Sequence, residues 1–190
     1  NAHAENVMLW CDIHNKTVRV TANITGGKSG KAVISAESFN SERSHTPEVQ
    51  SFEYTNGKLD ALYKMGDDCL LWSEHEPNLY KLKIDIDGDV SEHIIGMREF
   101  RTEGGKFTIN GEKTFLRGKH DGMIFPKTAF APTDLDEWLR VMKISKSYGM
   151  NHYRYHTCCP PESAFIAADM LGIYMEPQLP FWGTITEEGE

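Results

Sequence analysis

The chain has 190 residues, of which 39% are hydrophobic and 25% are charged, and its formal net charge is -8 at pH 7. This is the composition of a soluble protein with one large or two small domains, and the negative charge without a basic run argues against nucleic acid as a partner. Because no apolar run approaches the roughly 20 residues that span a bilayer, the sequence also predicts no membrane partner.

The start of the chain does not identify a compartment. Residues 1–6 lack the apolar stretch of a signal peptide. A signal removed by processing would leave no trace, so export to the periplasm or out of the cell stays compatible with the sequence.

Short runs rich in β-branched and aromatic residues fill the first part of the chain. In one of them Val18, Val20, Ala22 and Ile24 alternate with polar residues, which is the period-two pattern of a half-buried strand. Turn-forming residues separate each run from the next. The predicted strands are 7–13, 18–24, 32–39, 59–65 and 79–86.

Short strands at this spacing, with no helical pattern among them, are typical of an antiparallel sandwich. We therefore predict an immunoglobulin-like β-sandwich domain over residues 1–103. Trp72 is expected to pack as a cap on its core, with a sugar-stacking role as the alternative.

A hairpin is predicted after the sandwich. The runs 107–109 and 114–116 flank Asn110-Gly111. These two residue types tolerate the positive φ that a type I′ turn requires at both central positions.

The residues after Gly118 predict helices that alternate with short strands. Pro132, followed by a Thr133 and Asp136 pair, predicts the start of the first helix through a capping box, and Gly149 predicts its end. One apolar stripe runs along this helix. It consists of Leu135, Trp138, Leu139 and Met142.

A second helix is predicted from Pro160-Pro161-Glu162 to Gly172, between strands at 150–155 and 173–175. Strand, helix, strand, helix, strand is the repeat of a parallel α/β fold.

Several motifs stand in one order over most of the chain. They are Trp72, Pro77, Leu79-Tyr80, Gly96-Met97-Arg98, Phe107-Thr108-Ile109-Asn110-Gly111, Phe115-Leu116-Arg117-Gly118 and Gly149-Met150-Asn151-His152-Tyr153-Arg154. Each motif alone has little specificity. In this order they resemble glycoside hydrolase family 2, which includes β-galactosidases, β-glucuronidases and β-mannosidases.

The resemblance implies a fold and an activity. Family members place an immunoglobulin-like domain before a (β/α)8 TIM barrel, so residues 104–190 are expected to be the truncated N-terminal part of that catalytic domain. In the family, two glutamates on later barrel strands hydrolyse β-linked sugars with retention, and both are expected beyond Glu190. The resemblance thus implies a glycosidase fragment that is inactive alone.

In a complete barrel the reactive groups follow the carboxyl ends of the strands. A histidine can hydrogen-bond sugar hydroxyls with either ring nitrogen, and an arginine fork can span two of them. The family pattern around His156 is one residue longer than here, and many relatives have a glutamate at Gln178. The predicted carbohydrate-binding residues are His120, Asp121, Arg154, His156, Gln178 and Trp182.

Each of these residues also has a structural interpretation. His120 and Asp121 could bond loop backbone, and Arg154 could pair with Glu176 as scaffolding. Trp182 could be an aromatic plug under a loop.

The cysteines and histidines predict neither a metal nor another cofactor. The four cysteines lack the paired spacing of a zinc ribbon. We expect free thiols that are buried or have no chemical role, with a disulfide bridge between Cys11 and Cys69 as the alternative. His152 and His156 would lie roughly 13 Å apart along a strand, which is too far for one ion.

A second function stays open. The sandwich could be a non-catalytic module that binds carbohydrate or a protein partner. Convergence of the loops after Gly118, Asn151 and Ile173 on one pocket would favour the glycosidase. Because three barrel strands leave an open sheet, we also expect self-association through the exposed barrel edge.

Overall fold

The computed structural model describes residues 2–181 and 183, and the chain divides into two compact units, Asn1–Phe115 and Leu116–Glu190. The sequence pattern changes between residues 103 and 104, whereas the packing groups residues 104–115 with the first unit. Each unit has a hydrophobic core of its own.

The first unit consists of strands. They are β1 (His3–Asp12), β2 (Thr17–Thr25), β3 (Ser29–Ser38), β4 (Gln50–Thr55), β5 (Lys58–Lys64), β6 (Tyr80–Ile86), β7 (Asp89–Ile95), β8 (Phe100–Glu103), β9 (Lys106–Ile109) and β10 (Glu112–Thr114). The five predicted strands correspond to β1, β2, β3, β5 and β6. The sequence pattern does not predict β4, β7 and β8.

Strands β1 to β7 form one antiparallel sheet that folds over on itself. Its order is β1-β2-β5-β4-β3-β6-β7. Strands β4 and β5 pair only at Thr55 and Lys58, so the sheet bends there into two layers, β1-β2-β5 and β4-β3-β6-β7. The inward residues of both layers share one core, which confirms the predicted sandwich-like β architecture.

Trp72 is a packing residue, as expected. Only 2% of it is exposed, and the Arg98 guanidinium lies 5.3 Å from the centre of its ring. Gly96 is required beside it, because a Cβ at that position would come within 3.1 Å of the indole. The buried ring is not available for stacking on a sugar.

Strands β8, β9 and β10 form a separate antiparallel sheet. Asn110 and Gly111 have φ values of 53° and 83°, which confirms the type I′ turn between β9 and β10. The Asn110 side chain also donates to the Trp72 carbonyl at 3.0 Å and accepts from the Glu99 backbone N–H at 2.9 Å. It therefore ties the hairpin to the segment around Trp72.

The second unit alternates strands and helices. They are β11 (Gly118–Asp121), α1 (Leu135–Ser147), β12 (His152–Tyr155), α2 (Glu162–Leu171) and β13 (Tyr174–Glu176). The strands form a parallel sheet in the order β11-β12-β13. Trp138 and Met142 of α1 pack with Tyr153 and Tyr155 of β12 and with the alanines of α2, so both helices cover one face of this sheet.

The capping residues of the helices agree with the prediction at the end of α2 and differ from it at the start of α1. Asp134 caps α1, because its carboxylate accepts from the Glu137 backbone N–H at 2.9 Å. The predicted Thr133 and Asp136 pair was therefore wrong by one position. Gly172 ends α2 in the left-handed conformation, with φ 69°, as expected.

The four cysteines are free thiols, so Cys11 and Cys69 are not bridged. Burial raises the pKa of the Cys11 thiol to about 11. Across residues 2–181 and 183, no cluster of three or more His, Cys, Asp and Glu side chains is arranged to hold a metal ion.

No helix among the described residues combines the length and the apolar character needed to cross a bilayer.

Candidate functional site

The three parallel strands of the second unit end side by side. His120 on β11 is the register partner of Arg154 on β12, and Arg154 is the partner of Glu176 on β13. In a parallel sheet, register partners point to the same face. His120, Arg154 and Glu176 therefore form a polar row across the carboxyl ends of the strands.

This row lies on the sheet face that the two helices leave uncovered. Tyr153 and Tyr155 alternate with Arg154 along β12 and are fully buried in the helix-covered core. His152 and Arg154 must therefore point the other way. The strand geometry thus separates an apolar, helix-covered face from a polar face.

Three of the predicted side chains meet on the polar face. The rings of His120 and His156 lie with their centroids 5.0 Å apart. Arg154 Nη1 lies 3.4 Å from His156 Nδ1. His156 follows β12, and its backbone N–H donates to the Asp121 carbonyl at 2.8 Å, which fixes the loop after the strand.

Glu176 contacts an arginine and a histidine on the same face. Its Oε1 lies 3.5 Å from Arg154 Nε and its Oε2 lies 3.4 Å from His152 Nε2. Burial lowers the pKa of His152, and the neighbouring Glu176 carboxylate partly opposes that shift. The ion pair between Arg154 and Glu176, which the sequence analysis gave as the structural interpretation of Arg154, is therefore present within the polar row.

Gln178 anchors the loop after β12. Its side-chain Oε1 accepts from the Thr157 backbone N–H at 3.0 Å, and its own backbone N–H donates to the Cys158 carbonyl at 3.1 Å. Thr157 has a positive φ of 56°, a backbone conformation that is energetically unfavourable for a residue with a Cβ. These bonds hold the loop in that turn.

Asp121 points to the opposite, helix-covered side. Its Oδ1 accepts from the Met123 backbone N–H at 2.6 Å, and its Oδ2 pairs with Lys119 Nζ at 2.9 Å. Only 7% of the residue is exposed. Both carboxylate oxygens therefore contact protein groups. The bond to the Met123 N–H is the contact with loop backbone that the structural interpretation of Asp121 expected.

Two residues of this cluster were absent from the predicted binding set. His152 and Glu176 share the face of Arg154, and their parity along β12 and β13 was the signal that could have found them. Trp182, which was predicted to bind substrate, lies outside the described residues.

The polar face supplies hydrogen-bond donors and acceptors in a small area. The arginine offers up to five donors, each imidazole offers a donor or an acceptor, and the carboxylate accepts. Such a mixed set suits a ligand rich in hydroxyl groups.

The sequence and the fold now define a class. A sandwich-like β unit is followed by a parallel α/β unit with a polar sheet face, so the described chain is of mixed β and α/β class. The chain belongs to glycosyl hydrolases family 2, because the model of that family matches residues 2–98.

Bacterial β-galactosidases are similar in sequence to this chain over most of its length. A β-galactosidase of Leuconostoc mesenteroides is 25% identical over 185 residues, covering 86% of this chain. A β-galactosidase of Thermoanaerobacterium thermosulfurigenes is 28% identical over 163 residues, covering 82% of this chain. The chain spans only 17% and 21% of the lengths of these two relatives.

Solved structures share the fold. The β-glucuronidase of Faecalibacterium prausnitzii matches 95% of this chain with a TM-score of 0.77 at 15% sequence identity, and this chain covers 28% of it. The match thus includes both units of the chain.

Proposed function

We propose that this chain is the sandwich domain and the first βα units of the catalytic (β/α)8 barrel of a retaining β-glycosidase. The strand order of the sandwich, with β3, β6 and β7 on one layer and β1, β2 and β5 on the other, suits an immunoglobulin-like domain. The parallel order β11-β12-β13, with a helix after each of the first two strands, suits the opening of a barrel.

The polar row on the helix-free face carries the proposal. In a barrel this face lines the interior, and residues at the carboxyl ends of the strands form the site. His120, Arg154, His156 and Gln178 are the residues that we propose to hold sugar hydroxyl groups. Asp121 has the supporting role of fixing the strand end, because both of its carboxylate oxygens are already engaged.

We further propose that residues 1–190 alone do not hydrolyse glycosides. Retaining hydrolysis needs two carboxyl groups roughly 5 to 5.5 Å apart on either side of the scissile bond. The two carboxylates at the described strand ends, Asp121 and Glu176, lie on opposite faces of the sheet. They cannot flank one bond, so the reacting glutamates would have to come from other barrel strands.

Hydrolysis assays test this proposal. The chain should give no turnover of chromogenic β-galactosides, β-glucuronides or β-mannosides, whereas the product of the complete gene should cleave at least one of them. Nuclear magnetic resonance of the first sugar released should show the retained anomer. Failure of the complete product on all three substrates, or turnover by residues 1–190, would contradict the proposal.

We also propose that the 190-residue chain self-associates through the second unit. Within the described residues, β11 and β13 each pair on one side only, and an unpaired strand edge is a template for another chain. Ile124, Leu179 and Phe181 add exposed apolar surface, with 81%, 76% and 51% exposure. Light scattering over a concentration series should show dimers or larger species, and a monomer at all concentrations would refute this.

A further inference from the structure

The loop after β12 has a backbone conformation that its own sequence disfavours. Thr157 has φ 56°, and a β-branched residue at positive φ is a clear outlier. Such a conformation persists only where surrounding groups hold it, and it is found most often at functional sites. The contacts of this loop therefore identify the groups that hold the strained turn in place.

Gln178, in the segment after β13, supplies two of these groups. Its side-chain Oε1 accepts from the Thr157 N–H at 3.0 Å, and its backbone N–H donates to the Cys158 carbonyl at 3.1 Å. The first bond restrains the peptide group between residues 156 and 157, and the second restrains the one between residues 158 and 159. Both peptide groups that flank residues 157 and 158 are thus tied to one residue.

The strained turn comes directly after His156. The His156 N–H donates to the Asp121 carbonyl at 2.8 Å, and the His156 carbonyl accepts from Thr157 Oγ1 at 2.7 Å. This carbonyl shares its peptide group with the Thr157 N–H that Gln178 binds. The backbone of His156 is therefore fixed on one side by the end of β11 and on the other side by Gln178.

This backbone places the His156 ring in the polar row. The ring centroid lies 5.0 Å from that of His120, and Nδ1 lies 3.4 Å from Arg154 Nη1. His156 lies beyond Tyr155, the last residue of β12, so the direction of its side chain depends on the loop that follows. A rotation of the peptide group after His156 would move the ring away from both partners.

The Oε1 atom of Gln178 is the part of the side chain that restrains the turn. A neutral amide can donate through Nε2 while its oxygen accepts, so the sugar contact proposed for Gln178 concerns Nε2 and leaves Oε1 for the loop. Methionine at this position keeps a long, flexible side chain without the oxygen acceptor, whereas glutamate keeps the acceptor. These two substitutions separate the hydrogen bond from the size of the side chain.

We infer that Gln178 is a positioning residue, which acts through the Thr157 turn to hold His156 beside His120 and Arg154. The inference rests on the proposed function for the use that the site makes of His156. The placement of the ring is a property of the chain itself and can be tested without a sugar.

Nuclear magnetic resonance of the sugar-free chain tests this placement. In the parent, nuclear Overhauser cross-peaks should connect the ring protons of His120 and His156. The Gln178→Met variant should lose most of their intensity, and its Thr157 amide proton should exchange about tenfold faster, the scale of one lost hydrogen bond. Gln178→Glu should keep both the cross-peaks and the slow exchange.

A matched variant in the first unit separates this effect from a general loss of stability. Gln50 Oε1 accepts from the Lys64 N–H at 3.0 Å, so Gln50→Met removes the same kind of bond elsewhere. It should leave the cross-peaks between His120 and His156 unchanged. Cross-peaks that persist in Gln178→Met, or that are lost equally in Gln178→Glu, would overturn the inference.

Kinetics of the complete gene product test the consequence for the sugar. His156→Ala and Gln178→Met should each lower kcat/KM, the second about tenfold. Because Gln178 acts through His156, the double variant should lose clearly less than the product of the two single losses. Losses that multiply would show that Gln178 acts independently of His156 and would overturn the inference. Absence of hydrolysis by the parent product would instead contradict the proposed function, and the spectra of the sugar-free chain would then decide the inference alone.

Discussion

Arg154 and Glu176 lie at the same level on neighbouring parallel strands, with Arg154 Nε 3.5 Å from Glu176 Oε1. The second oxygen of the same carboxylate faces His152 Nε2 at 3.4 Å. One exposed carboxylate thus restrains both polar side chains that β12 presents on the helix-free face. The orientation of the arginine fork depends on this carboxylate.

We expect Glu176→Gln to lower the pKa of His152 further. Burial already lowers that pKa, and the Glu176 carboxylate is the group that raises it, so removing the charge leaves burial unopposed. Histidine ring signals followed by nuclear magnetic resonance against pH would measure the change. The matched variant Glu162→Gln, in the first turn of α2, should leave the His152 titration as it is. An unchanged or raised pKa in Glu176→Gln would contradict the assigned contact.

The sequence predicted correctly the turn and the helix whose conformation depends on residues close together in the chain. Asn110-Gly111 fixes its turn without help from distant residues, and the apolar stripe of α1 is periodic enough to be read directly. The cap of α1 was misplaced because Thr133 and Asp134 are both good capping residues. Only the backbone geometry decides between them.

The missed strands have a different cause. Residues Val90 and Ile94 of β7 are 54% and 44% exposed, so the edge strand has no clean alternation to recognise.

In the candidate functional site, the positions of the strand ends could be predicted from the sequence, but the sheet face to which each side chain points could not. His120 and Asp121 are consecutive and therefore point oppositely, and which of the two faces the helices depends on packing over long sequence separations.

We expect Gly111→Ala to destabilise the first unit by about 1 kcal/mol, because a Cβ disfavours positive φ. Gly111 has φ 83° and open space around it, so the cost comes from the backbone alone. Urea unfolding followed by signals of the first unit would measure it. Gly122→Ala, in the second unit and followed by signals of that unit, is the control, since its Cβ would make only ordinary contacts, 3.7 Å from Ile124. Equal losses of stability in the two variants, each measured against the same unit of the parent, would contradict the I′ turn.

The stability of the first unit should fall as the pH drops below about 6.5, partly through His45. Its Nδ1 lies 2.7 Å from the Tyr80 hydroxyl, and burial lowers its pKa from the ordinary value of 6.5. The folded state therefore binds fewer protons than the unfolded state in this window. The stabilisation is complete above pH 6.5 and is lost as the pH falls through the folded pKa.

Urea unfolding at a series of pH values would measure this dependence. A His45→Asn variant should show a shallower loss of stability between pH 6.5 and 5, and the same slope as the parent above pH 7. A steeper loss in the variant would show that the sign of the His45 contribution is wrong.

We expect Asp121→Asn to destabilise the second unit by about 1–3 kcal/mol, the cost of weakening charge-assisted bonds at a buried site. The variant keeps the shape of the side chain but loses the ion pair with Lys119. Asp136→Asn, an exposed change in the first turn of α1, should cost about 0.5 kcal/mol. Denaturant unfolding that ranks the two equally would contradict the supporting role of Asp121.

Two tyrosines of β12 allow a matched test of buried hydroxyl groups. Tyr153 and Tyr155 are both fully buried, but the Tyr153 hydroxyl bonds to Ser145 Oγ at 2.5 Å, whereas the Tyr155 hydroxyl has no partner among the described residues. Tyr153→Phe should therefore cost the second unit about 1–2 kcal/mol, because it also leaves the Ser145 hydroxyl buried and unpaired.

Tyr155→Phe should leave the stability unchanged or raise it, because it removes a buried hydroxyl that the described protein groups do not satisfy. Urea unfolding of the two variants, followed by signals of the second unit, compares equal changes in volume at neighbouring positions. A larger loss in Tyr155→Phe than in Tyr153→Phe would mean that the Tyr155 hydroxyl has a partner in solution, most simply a buried water.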